Sequence, residues 1–489
     1  MPYGLKDIEL EKMCGVFASN ERIERVVLYG SRAKGNYKPF PDVDITLMGE
    51  KLTHSDLNRI SLAVDDLLLP YQFDISIFHT LKNEALIYHI HRIGITIYER
   101  ESEWKEYKLG EICTELSDGL HKAPIFCEGG DYIFVNAKNI SNGYIVDNDA
   151  ERKSTYEEYL KYSSPLNDTT ILYSIDGTIG NIALYRGEKC ILGKGACYIN
   201  PNPSIIDRLY LYYELQSPRF KAYIDRMSTG STIQHISLKT MRNYTFTSPT
   251  LVEQRRIASI LTSLDDKIDL LHRENATLEA MAETLFRQWF VEEAKEDWEE
   301  GLVSDIAEHT KNSINPQKYP DTIFQHYSIP AYDVGKEPTI ETGESIQSNK
   351  YLVPKNCILF SKLNPHKDKR VWLMLDDVPD NAICSTEFQV VKPSNVEFLY
   401  FMYGWLTHKE NYEEIASGVG GTSGSHQRID PKSIFSFTCP KVDLKTIQNY
   451  NKVVAPLFNK QRNNQQQIQT LIQTRDGLLP RLMSGELKV

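Results

Sequence analysis

Three aspartates near the start of the chain have the spacing of a metal-ion site. Asp42 and Asp44 stand two apart in PDVDITLM, which alternates like a β-strand, so their carboxylates point to one face. Asp74 lies in FDISIF, a second strand-like stretch that could stand beside that pair. Three carboxylates on adjacent strands suit magnesium, a hard cation that takes oxygen ligands. Upstream, RVVLY runs into Gly30-Ser31, where a turn brings backbone N–H groups toward phosphates. The chemistry this implies is attack by a hydroxyl on a nucleoside triphosphate, with divalent ions activating the nucleophile. Asp74 is the candidate base.

The elements that must position these residues are short. Residues 24–30 read as a buried strand, SRAKG as a loop or helix start, and Val43 to Met48 as the next strand. Phe73 to Phe78 is a third. GS, a spacer, DxD and a later lone Asp resemble the minimal nucleotidyltransferases of the polymerase-beta-like fold, and LIYHIHRIGITIYER resembles that family's closing helix and strand. The resemblance implies a small mixed-sheet domain over residues 1–102. It also implies magnesium and ATP (or another NTP), with Asp42, Asp44 and Asp74 as metal-binding and catalytic residues. Gly30, Ser31, Arg32 and Lys34 would bind nucleotide, since basic residues after GS are a habit of the family. A correctly folded but catalytically silent domain is the alternative.

The remainder is a different kind of protein. The chain has 489 residues, enough for three or four domains, and a net charge of −11. Its eight cysteines form no CxxC pair, which argues against a zinc site or disulfide framework and for a reducing cytoplasm. No apolar run reaches the roughly 18 residues a membrane span needs, and MPYGLKDIELEKM does not read as a signal peptide. Charge is uneven. Residues 251–300 hold 6 basic and 13 acidic side chains, a net of −7, whereas 444–489 hold 7 and 2, a net of +5.

Residues 103–489 repeat themselves. TGSTIQHISLKTMRNYTFTSP (229–249) is similar to TSGSHQRIDPKSIFSFTCP (422–440), and ILYSIDGTIGNIALY (171–185) to ILFSKLNPHKDKRVWLM (358–374). Each copy ends in a long helical pattern. Ile257, Leu261, Leu264, Ile268, Leu271, Asn275, Leu278, Ala282, Leu285 and Trp289 keep the 4-3 spacing of a coiled-coil seam with one polar position, Asn275. Ile447, Tyr450, Val454, Leu457, Gln461, Asn464, Ile468, Leu471, Arg475, Leu478 and Leu482 do the same with a more polar seam. Opposite charge favours pairing of the two helices. Pro456 and Pro480 should kink the second or mark its ends. About 40 helical residues make a rod about 60 Å long, a ruler against B-DNA at about 3.4 Å per base pair.

The stretch from SLKTMRNYTFTSP through LVEQRRIASILTSLDDKIDLLHRENATLEAMAETLFRQWFVE, with the tail LIQTRDGLLPRLMSGELKV, resembles the specificity subunit of type I restriction–modification systems. The second copy departs from it, with KVDLKTIQ in place of LVEQRRIA. The fold class expected is α/β (α+β) multidomain. A nucleotidyltransferase domain is followed by target recognition domain 1 (103–250), a central helix (251–297), target recognition domain 2 (298–443) and a C-terminal helix (444–489). The two helices pair as an antiparallel coiled coil.

The resemblance implies a reader of double-stranded DNA whose target is split in two. Its partners would be two methyltransferase subunits, which carry S-adenosylmethionine, and motor–nuclease subunits; no membrane is involved. No NPPY motif, P-loop or nuclease triad is found, which suits a reader rather than a catalyst. Candidate base-reading residues are Ser231, Thr232 and Gln234 in the first copy and Ser425, His426, Gln427 and Arg428 in the second. Lys122, Lys138, Lys194, Lys362, Lys367, Lys369 and Arg370 are candidate phosphate contacts. The competing reading puts the enzyme first: an AMP-transferring regulator that the DNA-reading half localises.

Overall fold

The computed structural model describes residues 4–34, 42–100, 104–147, 152–228, 235–366, 369–417, 419–420, 428–430 and 433–489. The chain forms two compact units, one of Met1–Ala258 with Leu482–Val489, the other of Ser259–Arg481. Among the described residues no helix is long and apolar enough to cross a membrane.

The N-terminal segment is built on a four-stranded sheet of β1 (Arg25–Leu28), β2 (Val43–Met48), β3 (Phe73–Ile77) and β4 (Ile95–Glu99), in the order β3-β2-β1-β4. β1 runs antiparallel to β2 and β4, and β2 parallel to β3. Alternation along β1 lets both faces be covered. Val26 and Leu28 pack with Met13 and Phe17 of helix Asp7–Ala18 and with Ile60 and Val64 of helix His54–Asp65. Val27 and Tyr29 point the other way, against Ile90 of helix Glu84–Ile93. Thr53 caps His54–Asp65 by accepting from the Asp56 N–H, and the Asp56 carboxylate accepts in turn from the Thr53 N–H.

The duplication seen in the sequence is also a duplication of topology. In the first repeat, Lys105–Lys108 pairs antiparallel with Thr245–Ser248. Its main sheet runs Ile182–Leu184, Ile171–Ser174, Ala196–Pro201, Cys113–Asp118. In the second repeat, Glu300–Leu302 pairs antiparallel with Thr438–Pro440. Its main sheet runs Val371–Met374, Cys357–Ser361, Phe388–Pro393, Ala307–His309, the same order. Each repeat adds a second sheet containing one parallel pair, Tyr132–Val135 with Cys190–Leu192 and Ile323–Tyr327 with Ala382–Cys384. The central strands Ile171–Ser174 and Cys357–Ser361 are buried at every residue, which is why they read as unbroken apolar runs rather than alternating ones.

Two long helices follow the repeats. Leu251–Arg287 has 37 residues and ends in a π-helical turn over Gln288–Glu292; Leu444–Met483 has 40. Within the second unit they run antiparallel. Asp265 meets Arg475 (2.8 Å), Asn275 meets Asn464 (2.9 Å) and Phe290 packs on Tyr450, so numbers rise on one helix as they fall on the other. Ile268, Leu271 and Ile468 form an apolar layer with Leu471 and Ile472. The polar seam positions meet each other. Asn464, fully buried, donates to Asn275 and to Glu274 (2.8 Å), and Gln461 donates to the Asn275 carbonyl (2.9 Å). Lys460 lies 3.5 Å from Glu274, which is the opposite charge of the two helices in contact.

Pro456 and Pro480 both lie inside the second helix, not at its ends. One lost backbone hydrogen bond costs about 3 kcal/mol or more. Buried Val454 and Phe458 on either side of Pro456, and Leu479 and Leu482 around Pro480, offset it.

Candidate functional site

The acidic site forms where β1 leaves the sheet. The Tyr29 N–H donates to the Asp44 carbonyl (2.9 Å), which locks the turn onto β2. Gly30 then adopts φ +75°, and a Cβ there would lie 2.0 Å from Asp44 Oδ2. Only glycine gives both that conformation and that space. Ser31 and Arg32 follow in the short helix Gly30–Ala33. Asp44 and Asp74 are register partners across the parallel pair β2 and β3, and Asp42 precedes β2. Asp42 and Asp74 are exposed and Asp44 is half-buried.

Burial raises the Asp44 carboxyl above its ordinary value, and the negative charges of Asp74 and then Asp42 raise it further, against a smaller opposing pull from Arg32. None of the three forms an ion pair among the described residues. Nor do three His, Cys, Asp or Glu side chains among those residues converge into a finished metal cage. The site is an open set of oxygen donors beside a glycine turn, their negative charge only weakly opposed by Arg32. That donor set suits a divalent cation and a phosphate chain in chemical type.

Arg32, expected at the nucleotide, is instead buried at 2 % exposure. Its Nε donates to the Asp42 carbonyl (3.3 Å) and a terminal nitrogen to the Gly4 carbonyl (3.2 Å), and it lies 4.6 Å from the centre of the Tyr71 ring. It supports the start of β2 from beneath. Lys34, at the end of the short helix, is exposed. The sequence reading missed Tyr29. Tyr29 is buried, and burial, its largest influence, raises its phenol, with the charges of Asp74 and Asp44 raising it further. The signal was its position immediately before Gly30-Ser31.

A second cluster explains Gln254 of LVEQRRIA. Gln254, fully buried in the first turn of the first long helix, accepts from the Asp207 N–H (2.7 Å). Its amide nitrogen donates to the carbonyls of Pro249 (2.9 Å) and Ile205 (3.3 Å). Asp207 in turn caps helix Arg208–Glu214. Two residues on, Arg256 pairs with Glu24 of the N-terminal segment (3.0 Å). In the second copy Leu444 replaces Gln254, Asp443 caps the helix through Thr446, and the helix accordingly starts later in the motif.

The candidate DNA contacts scatter. Ser231, Thr232, Gln234, Lys367, Ser425, His426 and Gln427 lie outside the described residues. Lys122 and Lys138 are exposed. Lys194 sits 3.8 Å from Asp176. Arg370 is bound by both oxygens of Asp333 (2.6 and 2.9 Å), and Lys369 donates to the Thr407 carbonyl (3.0 Å). Lys362 and Arg428 come together beside Glu387, a grouping the sequence reading did not make.

Known proteins match two adjoining segments of the chain. Residues 101–280 match the type I restriction modification DNA specificity domain, and residues 11–103 match the polymerase beta nucleotidyltransferase family. The MjaIX type I restriction enzyme specificity subunit of Methanocaldococcus jannaschii is 28% identical over 433 residues, covering 80% of this chain and 97% of its own. The HindI specificity subunit of Haemophilus influenzae is 22% identical over 468 residues, covering 79% of this chain and all of its own. Among solved structures, the type I restriction–modification S subunit of M. genitalium aligns with a TM-score of 0.49 at 18% identity, over 78% of this chain and 97% of that one. Over most of its length the chain is thus similar to type I restriction–modification specificity subunits, and its N-terminal segment to the polymerase beta nucleotidyltransferases.

Proposed function

We propose that the chain reads a split target in double-stranded DNA, with residues 103–250 recognising one half and 298–443 the other. The observation that carries this is the duplicated topology: two repeats with the same strand order, each feeding a long helix that pairs with the other. The helices 251–297 and 444–489 set the gap and bind two methyltransferase subunits. S-adenosylmethionine belongs on those subunits and DNA cleavage on motor–nuclease subunits, and the whole works in the cytoplasm. Inserting one heptad in each helix at facing positions lengthens the pair by about 10 Å, which corresponds to about three base pairs of B-DNA. The target recovered with that variant should keep both half-sites and widen its gap by that amount; an unchanged gap removes the ruler.

Residues 1–102 form the second activity, transfer of a nucleotide from ATP or another NTP. The observation favouring it is the set of Asp42, Asp44 and Asp74, mutually repelling beside Gly30. A magnesium ion held by these carboxylates would supply the positive charge that a triphosphate and its attacking hydroxyl require. Gly30 and Ser31 present backbone N–H groups to the phosphates, Lys34 adds charge, and exposed Asp74 takes the proton of the hydroxyl as its oxygen bonds the alpha-phosphorus and pyrophosphate leaves. Alpha-labelled ATP with magnesium should label an acceptor with the wild-type chain and not with Asp42→Ala/Asp44→Ala. Equal labelling by both excludes this site as the source.

A further inference from the structure

Segments far apart in sequence meet at one corner of the second repeat. The strand Ala307–His309 continues to Thr310, whose N–H donates to the Val390 carbonyl (3.1 Å), and Lys311 follows. Lys362, directly after Cys357–Ser361, donates its backbone N–H to the Glu387 carbonyl (3.0 Å) and accepts from the Ile429 N–H (3.1 Å). Arg428 bridges to Leu363 and is held by both carboxylate oxygens of Glu387 (3.0 and 2.8 Å). The Lys362 ammonium donates to the Thr386 carbonyl (2.7 Å). The corner thus brings Arg428 and Lys362 beside Glu387, with exposed Lys311 one residue beyond the Thr310–Val390 pairing on the neighbouring strand, in a segment (301–443) with 14 basic and 18 acidic residues. Their mutual repulsion is felt: burial lowers the Lys362 ammonium, and Lys311 and Arg428 lower it further against the pull of Glu387.

The fold itself does not call for these cations. The first repeat builds the same corner, with the Ile236 N–H donating to the Ile175 carbonyl (2.9 Å) and Asp176 bridging to His235. There Asp176 lies 3.8 Å from Lys194 and 3.9 Å from His235, and Asp118 ends the equivalent strand 3.1 Å from His121. Like charges concentrated in an acidic domain are relieved by a polyanion. Duplex DNA presents one negative charge about every 1.7 Å.

We propose that Lys311, Lys362 and Arg428 form a corner through which the second repeat grips the phosphate backbone of duplex DNA, and that the balanced corner of the first repeat makes no such grip. This rests on the DNA-reading function proposed above. The test uses the full chain and duplexes that the wild type enriches from a random pool, with binding measured by fluorescence anisotropy across a salt series. Lys311→Ala/Arg428→Ala should weaken binding at least tenfold at low salt. It should also flatten the dependence of log affinity on log salt by about 2, close to 0.9 for each lost phosphate contact. Lys311→Gln, at an exposed position that leaves the fold intact, should flatten it by about 1. Lys369→Ala, which lies outside this corner with its ammonium on the Thr407 carbonyl, should change neither quantity. Wild-type affinity and slope in the two corner variants overturn the proposal while DNA reading stands. A wild-type chain that enriches no duplex overturns DNA reading and this corner together.

Discussion

Gln254→Leu isolates the role of a single side chain at the root of the first long helix. The residue is fully buried and satisfies three backbone groups: the N–H of Asp207 and the carbonyls of Ile205 and Pro249. Leucine has similar volume, so no large cavity forms, but all three groups lose their partner. An orphaned buried polar group costs about 1–3 kcal/mol, and two of the three carbonyl and amide carriers are only half-buried, so a net loss of about 3 kcal/mol is expected after the gain from a buried leucine. In a unit of this size 1 kcal/mol moves the melting temperature by about 2–4 °C, so the first calorimetric transition should fall by about 6–12 °C. Gln254→Glu should be no better at neutral pH, because it sets a carboxylate oxygen against two carbonyls. Leu444→Ala, at the matching and largely exposed position of the second copy, should cost less than about 1 kcal/mol. A Gln254→Leu chain melting within a degree or two of wild type would refute the reasoning.

Arg32→Ala should destabilise the N-terminal domain by about 2–4 kcal/mol in urea unfolding and abolish nucleotide transfer, since it removes the support beneath Asp42; Lys34→Ala should leave stability unchanged. Asp44→Asn should stabilise the same domain at neutral pH. The folded state raises this carboxyl, so wild-type stability falls as pH rises through its titration, and the amide removes that loss while eliminating magnesium binding measured by calorimetry. Burial raises Glu337, beside Gln465 and Gln469, from the ordinary 4.5 to about 7, with the Gln469 amide opposing. Its native state therefore holds a proton that the unfolded state has already lost, and the urea midpoint of the second unit should fall between pH 4.5 and 7 and level off above. Glu337→Gln should flatten that profile.

The parts of this protein that sequence reveals are those where chemistry or packing repeats locally. Gly30, Asp42 and Asp44 are legible because a turn and a two-residue alternation suffice to place them. The helical seams are legible because 4-3 spacing is a property of consecutive residues, and Asn275 and Asn464 stood out as polar exceptions that the structure then pairs with each other. Arg32 shows where that reading stops. A basic residue after Gly-Ser looks like a phosphate ligand, and only the fold reveals that its guanidinium turns inward to the carbonyls of Gly4 and Asp42. The grouping of Lys311, Lys362, Glu387 and Arg428 was equally hidden, because it depends on strand pairing across more than a hundred residues. Pro456 and Pro480 mark no helix end: both lie inside Leu444–Met483, with buried Val454 and Phe458 around Pro456.

The proposed function divides one DNA target between the two repeats. The most direct test is to sequence the duplexes that the full chain enriches from a random library. Two short motifs separated by a constant number of unconstrained base pairs is the result expected. A single contiguous motif, or two motifs at variable spacing, would contradict it.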